Sequence, residues 1–485
     1  MERRFDLIVI GGGPAGVTAA LRGAELGASV ALVERTRLGG TCTDDGCAPT
    51  RVLAHAARLM RDVEQHAAFG ISAAAPIIDL AVLLAATQRT VYALHEKKQL
   101  LAHLDRAGAT VVEGAGDAQF VGPHELAVAG GRTLRADRFV LAVGGHARRL
   151  DLPGAELAMT HGDVWSLRSL PRSMVVVGGA ATGVQVASVF AAFGSKVTLL
   201  ELAPRLVPAE DVEVSVDLEA GLTAAGIEVH TAIAGLVGIE GRPGDLRVRY
   251  RDGEERVVAA EAVLLAVGWP GNVDGLGLET AGVAVERSYV HVDDSLRTSA
   301  RHIWAAGDIT GRMMLVQSAT FEGRVAAENA LRDGDQAARH AIVAHGGFTD
   351  PEYGSVGLTE AGAVAAGRDV VIGRVPYADL DRAVIDGRTD GFCKLVVDRQ
   401  QGTVIGAHVV GEHAVEVVQI AATAMASSMP VAQLASVEFA YPTYTAIVGL
   451  AARQAVHALR LPAVEARAWE ELGRPRIAEW ERREA

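Results

Sequence analysis

Cys42 and Cys47 are separated by four residues in the stretch Gly39-Gly40-Thr41-Cys42-Thr43-Asp44-Asp45-Gly46-Cys47-Ala48-Pro49-Thr50-Arg51. Two thiols this close can oxidise to a disulfide, and beside a redox cofactor such a pair can relay two electrons to an outside acceptor. Three cysteines in 485 residues are too few for a secreted disulfide scaffold, so a cytoplasmic location and a catalytic role for the pair are expected. A metal site would need further thiolate or imidazole ligands at suitable spacing. None clusters beside the pair, and no metal is predicted. Asp44 and Asp45 admit three readings: opposition to thiolate formation, local acid–base work, or solvated loop acids. Cys393, between Phe392 and Lys394 on a predicted strand, reads as a buried structural cysteine.

The elements upstream must hold the cofactor that such a pair needs. Residues 5–10 predict a strand, Gly11-Gly12-Gly13-Pro14-Ala15-Gly16 a turn into a helix, and 29–33 a second strand closed by Glu34. In a dinucleotide fold Gly11 makes the tight turn, Gly13 admits a pyrophosphate to the backbone, and Gly16 lets helix and strand pack closely. Glu34 then accepts from a ribose hydroxyl. A second unit opens at Met174 with Gly178-Gly179-Ala180-Ala181-Thr182-Gly183, continues into a helix, and ends its next strand at Glu201. Ala180 replaces the middle glycine, where a methyl slightly limits backbone approach. Two such units imply two nucleotide cofactors with electrons crossing between them. Glu201 would repel a 2′-phosphate, favouring NADH over NADPH, although Arg205 nearby weakens that preference.

With 49% apolar and 22% charged residues, the chain can bury several domain cores. A net charge of −13 argues against nucleic acid and anionic membranes as partners. No uncharged apolar run reaches membrane-spanning length, and the N-terminal residues lead straight into a strand, so neither membrane insertion nor a secretory signal is expected. Helices are predicted over 52–65, 80–106 and 414–427, with a last one after Pro442, and strands over 110–112, 139–143, 393–397 and 404–410. The Glu-, Arg- and Trp-rich tail from about Leu461 reads as a solvated helical appendage.

The motifs GGGPAG, GGTC-x4-C-x-P, VGG-x3-G and Ala305-Ala306-Gly307-Asp308 occur in that order. They are followed by Thr349-Asp350-Pro351-Glu352 and Val356-Gly357-Leu358-Thr359-Glu360. In this the chain resembles the flavoprotein pyridine nucleotide-disulfide oxidoreductases, the group of glutathione reductase, dihydrolipoamide dehydrogenase and mercuric reductase. The resemblance implies an α/β fold with two Rossmann-like domains, for FAD and NAD(P), and a C-terminal α+β dimerisation domain. FAD would bind 1–154 and 271–345, NAD(P) 155–270, the homodimer would form through 346–458, and 459–485 would be a charged tail. FAD would meet Gly11, Gly13, Gly16, Glu34, Gly40, Thr41, Gly116 near the adenine, Ala142, Gly144, Asp308 at the ribitol, and Gln317. NAD would meet Gly178, Ala180, Gly183, Gln185, Glu201 and Gly268. Cys47 would be the flavin-proximal thiolate and Cys42 the attacking thiol. Each site would be completed by the partner chain.

Four departures bear on the substrate. Disulfide-reducing members carry His-Pro-Thr-x-x-Glu where this chain has Tyr441-Pro442-Thr443-Tyr444-Thr445-Ala446. A phenol with a pKa of about 10 can donate a proton but is a poor base at neutral pH, which disfavours dihydrolipoamide oxidation. Tyr441 thus reads equally as a proton donor or as an interface residue, and Tyr444 as interface packing. No cysteine follows Cys393, so the C-terminal vicinal pair of mercuric reductases is missing, and Hg(II) reduction is not expected. Arg51 and Gln185 stand where the family pairs a Lys with a Glu near the flavin. An unpaired Arg51 is expected to favour reduced flavin. Ala181 opens the nicotinamide face. Finally, Asp44 and Asp45 flank the thiols.

The resulting expectation is an FAD-dependent NADH oxidoreductase that passes electrons through Cys42–Cys47 to a small acceptor: an atypical disulfide, a quinone or a metal ion. The alternatives are dihydrolipoamide dehydrogenase-type or mercuric reductase-like activity, or a redox-sensing interaction flavoprotein.

Overall fold

The computed structural model describes residues 4–72 and 74–459, so the expected C-terminal tail lies outside the described residues. Its first sheet begins with the strand Arg4–Ile10, whose apolar residues are buried on both faces. Parallel sheets covered by helices favour such continuous apolar runs. Arg4–Ile10 pairs in parallel with Val30–Val33 and with Arg132–Leu141. Ile303–Ala305, more than 160 residues further along the chain, adds to Arg132–Leu141 as another parallel strand. The chain therefore leaves this sheet, builds another, and returns. The helix Val316–Arg332 then packs on Pro14–Glu25 so tightly that a side chain at Gly323 would fall 2.2 Å from the carbonyl oxygen of Ala15.

The second sheet is parallel, in the order Ala262–Leu265, Ser173–Val177, Lys196–Leu200, Glu228–His230. The C-terminal sheet is antiparallel, in the order His345–Gly347, Tyr353–Gly357, Thr403–Val410, Phe392–Asp398, Val370–Pro376. The helices Ala414–Ala426 and Ala446–Leu459 cover it with small and β-branched residues. Cys393 is fully buried there, and burial pushes its thiol up to about 12, an inert structural cysteine.

Two helices differ from expectation near the thiols. The one expected over 52–65 starts earlier, at Cys47, and ends at Asp62. The one expected over 80–106 is two, Leu80–Lys98 and Leu100–Arg106, broken at Gln99. Gln99 adopts a left-handed conformation at φ +44° and its N–H bonds back to the His95 carbonyl, ending the first helix. Leu104 of the second helix then reaches the core, while Lys98 stays at the end of the first.

Candidate active site

The strand Arg4–Ile10 delivers Gly11 at φ +104°, where an added Cβ would lie 2.3 Å from the Ala142 carbonyl oxygen. At Gly16 the clash would be with the Gly11 carbonyl oxygen, at 1.8 Å. Gly13 caps the helix Pro14–Glu25, and nothing approaches its Cβ position closer than 3.9 Å. That leaves open backbone at a helix N-terminus, a setting that suits an anionic phosphate. Glu34 accepts from the Gly12 N–H at 2.7 Å and from the Thr36 N–H at 2.8 Å, which fixes its carboxylate at the strand end.

The second cradle repeats these contacts. A Cβ at Gly178 would fall 2.3 Å from the Ala266 carbonyl oxygen, and one at Gly183 would fall 1.7 Å from that of Gly178. Glu201 accepts from the Gly179 and Ala203 N–H groups. Arg205 donates to the carbonyls of Glu210 and Pro208 and to Ser215 Oγ, so its guanidinium is committed to its own loop.

Both cradles open onto one cavity of about 2280 Å³. It is lined by Gly11, Gly13, Glu34, Gly40, Thr41, Cys42, Cys47, Gly116, Ala142, Gly144, Asp308 and Gln317. It is also lined by Ala180, Ala181, Gln185 and Gly268 from the second unit. Gly16, Gly178, Gly183 and Glu201 are not among the lining residues. Gln317 is anchored by a 2.9 Å hydrogen bond from its Nε2 to the Ala344 carbonyl. Asp308 accepts from Trp269 Nε1 at 2.9 Å, and burial raises its carboxyl above the usual range.

Cys42 and Cys47 are free thiols in contact with one another. Cys42 lies in the short helix Gly40–Asp44, and Cys47 is the first residue of Cys47–Asp62. The Cys47 thiol donates to Cys42, and Lys98 lies on that side. Together these outweigh burial and the charges of Asp308 and Asp44, and hold Cys42 at about 7. The shared hydrogen bond and burial push Cys47 up. In this geometry the two sulfurs share one proton, with the hydrogen bond lowering the Cys42 thiol and raising that of Cys47. One proton leaves the pair readily and the second is held.

The surroundings of the pair include residues that the sequence pattern did not single out. Lys98 Nζ donates to Thr43 Oγ1 at 2.7 Å. Asp44 is held by Arg37 Nη2 at 2.5 Å and by His95 Nε2 at 2.8 Å. Gly39, at φ +129°, is needed because a Cβ there would fall 2.7 Å from His95 Cε1. Asp45 faces His161. Burial raises the Asp45 carboxyl and lowers the His161 imidazole. His161 and Trp269 both line the cavity, their ring centroids 5.2 Å apart. Lys98, His161 and Trp269 come from segments more than 50 residues away from the thiols, where no local motif marks them. The one available signal was that Lys98 is among only four lysines in a chain otherwise served by arginine.

A family model described as pyridine nucleotide-disulphide oxidoreductase matches residues 5–323, and its dimerisation-domain counterpart matches residues 343–452. The chain belongs to the pyridine nucleotide-disulphide oxidoreductases. The dihydrolipoyl dehydrogenase of Chlorobaculum tepidum is 33% identical over 466 residues, which cover 95% of this chain and 98% of that one. That of Thermus scotoductus is 35% identical over 473 residues, covering 94% and 99%. Among solved structures, the Cu(II) complex of the HOCl-induced flavoprotein disulfide reductase RclA from Escherichia coli superposes with a TM-score of 0.82 at 27% identity. It covers 93% of this chain and 99% of that one.

This oxidoreductase therefore uses FAD and NAD(P)H, and the glycine cradles and anchored carboxylates fit two dinucleotides. Its dimerisation domain supports a homodimer. Among the described residues no helix is long and apolar enough to cross a membrane, and no cluster of three or more His, Cys, Asp or Glu could hold a metal ion.

One expectation about this family member is corrected. Arg51 is not an unpaired cation: its Nη1 donates to Glu352 Oε1 at 3.1 Å, Glu416 lies 3.9 Å away, and the guanidinium sits over the Phe348 ring at 4.2 Å. Its carboxylate partner comes from the C-terminal domain instead of the nicotinamide-domain helix. Arg51 is not among the described residues lining the cavity. Gln185 bonds its own helix at Ala181 O and accepts from the Phe348 N–H. Tyr441 is 61% exposed in the single chain and donates to Asp381 at 2.6 Å, outside the thiol cavity of its own subunit. Tyr444 is buried and donates to Asp386 at 2.9 Å.

Proposed function

We propose that the protein is an NADH-preferring oxidoreductase that sends two electrons through Cys42–Cys47 to a small thiol-reactive acceptor. The observation that carries this reading is that the two thiols touch one another on the wall of the single cavity shared by both dinucleotide cradles. Bound FAD supplies the link between hydride chemistry on the nicotinamide side and disulfide chemistry on the other. The chain's own residues do the rest. Gly11, Gly13 and Glu34 bind and orient FAD, and Ala181 leaves the nicotinamide face open. Glu201, with Arg205 turned into its own loop, disfavours a 2′-phosphate. Cys42 is the nucleophile toward the acceptor, its thiol lowered by the hydrogen bond from Cys47 and by Lys98. Three cysteines, none required as a structural disulfide, suit a reducing cytoplasm.

The acceptor class is an atypical disulfide, a quinone or a metal ion. Copper(II) enters this set because the RclA structure holds it. Tyr441 in place of a histidine supports such acceptors over dihydrolipoamide, whose oxidation needs a base at neutral pH. The full-length similarity to dihydrolipoyl dehydrogenases favours a second reading, oxidation of dihydrolipoamide by NAD⁺. An assay in that direction decides between them.

The first experiment is anaerobic titration of the purified holoenzyme with NADH, with cysteine alkylation read by mass spectrometry. Uptake of about four electrons per subunit, two to flavin and two to the disulfide, with labelling of Cys42 and Cys47, is expected. Full bleaching after about two electrons with neither cysteine newly labelled would sink the disulfide relay.

A further inference from the structure

We propose that Lys98 is a positioning residue for the thiol pair, the cation that balances the charge of the Cys42 thiolate in a chain without the family's histidine. The inference rests on the relay reading above and concerns the same site. Reduction of the disulfide adds two electrons and breaks the S–S bond to give two sulfurs with two negative charges. One proton from solvent then sits between them, leaving a net charge of minus one on the pair. Members with His at position 441 can offset that charge with an imidazolium from the partner chain, whereas Tyr441 cannot become a cation.

The groups that act most strongly on Cys42 are the Cys47 thiol, Lys98, Asp308 and Asp44. Lys98 is the only cation among them and acts more strongly than either carboxylate. Asp44 is offset by Arg37, which reaches its Oδ1 together with a hydrogen bond from His95, and Asp308 is protonated more readily than usual through burial. Lys98 is held at the end of the helix Leu80–Lys98 by the break at Gln99, and its ammonium is tethered to Thr43, the residue after Cys42. Thr43 is itself fully buried, with its Oγ1 directed to the Gly39 carbonyl, so the tether has a fixed anchor. A cation fixed on the residue next to one sulfur of a pair that shares a proton favours negative charge on that sulfur and lets it persist to lower pH.

The test compares the holoenzyme with Lys98→Met, Lys98→Arg and Lys97→Met. Lys97 precedes Lys98 on the exposed face of the same helix and controls for the loss of one charge. Each protein is reduced anaerobically, once with NADH and once with dithiothreitol that is then removed. The rate of iodoacetamide labelling at Cys42 is followed from pH 5.5 to 9. The expected result is a Cys42 profile moved upward by about one pH unit in Lys98→Met, a fall of about five- to tenfold in labelling at pH 6.5. Lys98→Arg should restore most of the rate, and Lys97→Met should follow the native profile. Coincident profiles for Lys98→Met and the native protein would overturn the proposal, as would equal shifts in Lys97→Met and Lys98→Met. Failure of NADH alone to release labelled thiols would instead count against the relay reading, since the dithiothreitol arm still decides the role of Lys98.

Discussion

Arg51 Nη1 donates to Glu352 Oε1 at 3.1 Å, joining the cysteine helix to the C-terminal domain across 301 residues of sequence. Glu352 is mostly buried, and burial raises its carboxyl despite the guanidinium beside it. The pair thus ties two domains together, with the guanidinium behind the cavity-lining ring of Phe348 and its charge met by a carboxylate. Replacing Arg51 with Met strands a buried acceptor, at a cost of about 1–3 kcal/mol. Thermal or urea unfolding of Arg51→Met is expected to show that loss. The rate of flavin reduction by NADH should change by less than about threefold, since a charge already paired with Glu352 acts weakly on its surroundings. A large change in that rate with unaltered stability would restore Arg51 to the redox machinery.

Cys42 and Cys47 lie on one wall of the shared cavity and share a hydrogen bond that lowers the Cys42 thiol. Cys42→Ser should lower NADH-driven reduction of a thiol-reactive acceptor by about a hundredfold or more, because a serine hydroxyl is not ionised at neutral pH. Flavin bleaching by NADH should persist in the same variant. Stopped-flow absorbance separates the two steps, and a variant that still turns over normally would point to acceptors reduced directly by flavin.

Glu201 is held by the Gly179 and Ala203 amides at the end of its strand, and Arg205 is committed to Pro208, Glu210 and Ser215. The native protein should therefore prefer NADH. Glu201→Ala removes the charge that opposes a 2′-phosphate and should narrow the NADH-to-NADPH ratio of kcat/KM by about tenfold. The change should lie mainly in KM for NADPH.

His345 Nε2 meets Glu210 Oε1 at 3.1 Å, linking the C-terminal sheet to the second dinucleotide unit. Burial opposes the imidazolium, but the hydrogen bond and charge of Glu210 prevail and raise His345 above its ordinary 6.5. A raised pKa in the folded state means that this contribution is complete below 6.5 and disappears as pH rises through the folded value. Heat inactivation should accordingly set in at lower temperature at pH 8 than at pH 6. His345→Gln should flatten that difference. Equal pH dependence in both proteins would show that other groups control it.

The sequence alone carried the two dinucleotide cradles, because a backbone turned at φ +104° against a neighbouring carbonyl tolerates only glycine at Gly11 and Gly178. Such demands are local and leave a mark at fixed spacing. It carried the Cys42–Cys47 pair for the same reason, and the burial of Cys393 through its apolar strand. The surroundings that tune the pair were decided only by the tertiary structure. Lys98 reaches Thr43 from 55 residues away, and does so because Gln99 ends its helix at that point. Glu352 reaches Arg51 only once the C-terminal sheet has folded against the cysteine helix. Charges act over several ångströms in every direction, whichever segment supplies them. No spacing along the chain records which cation will settle beside a thiol, and that choice belongs to the packing of distant elements.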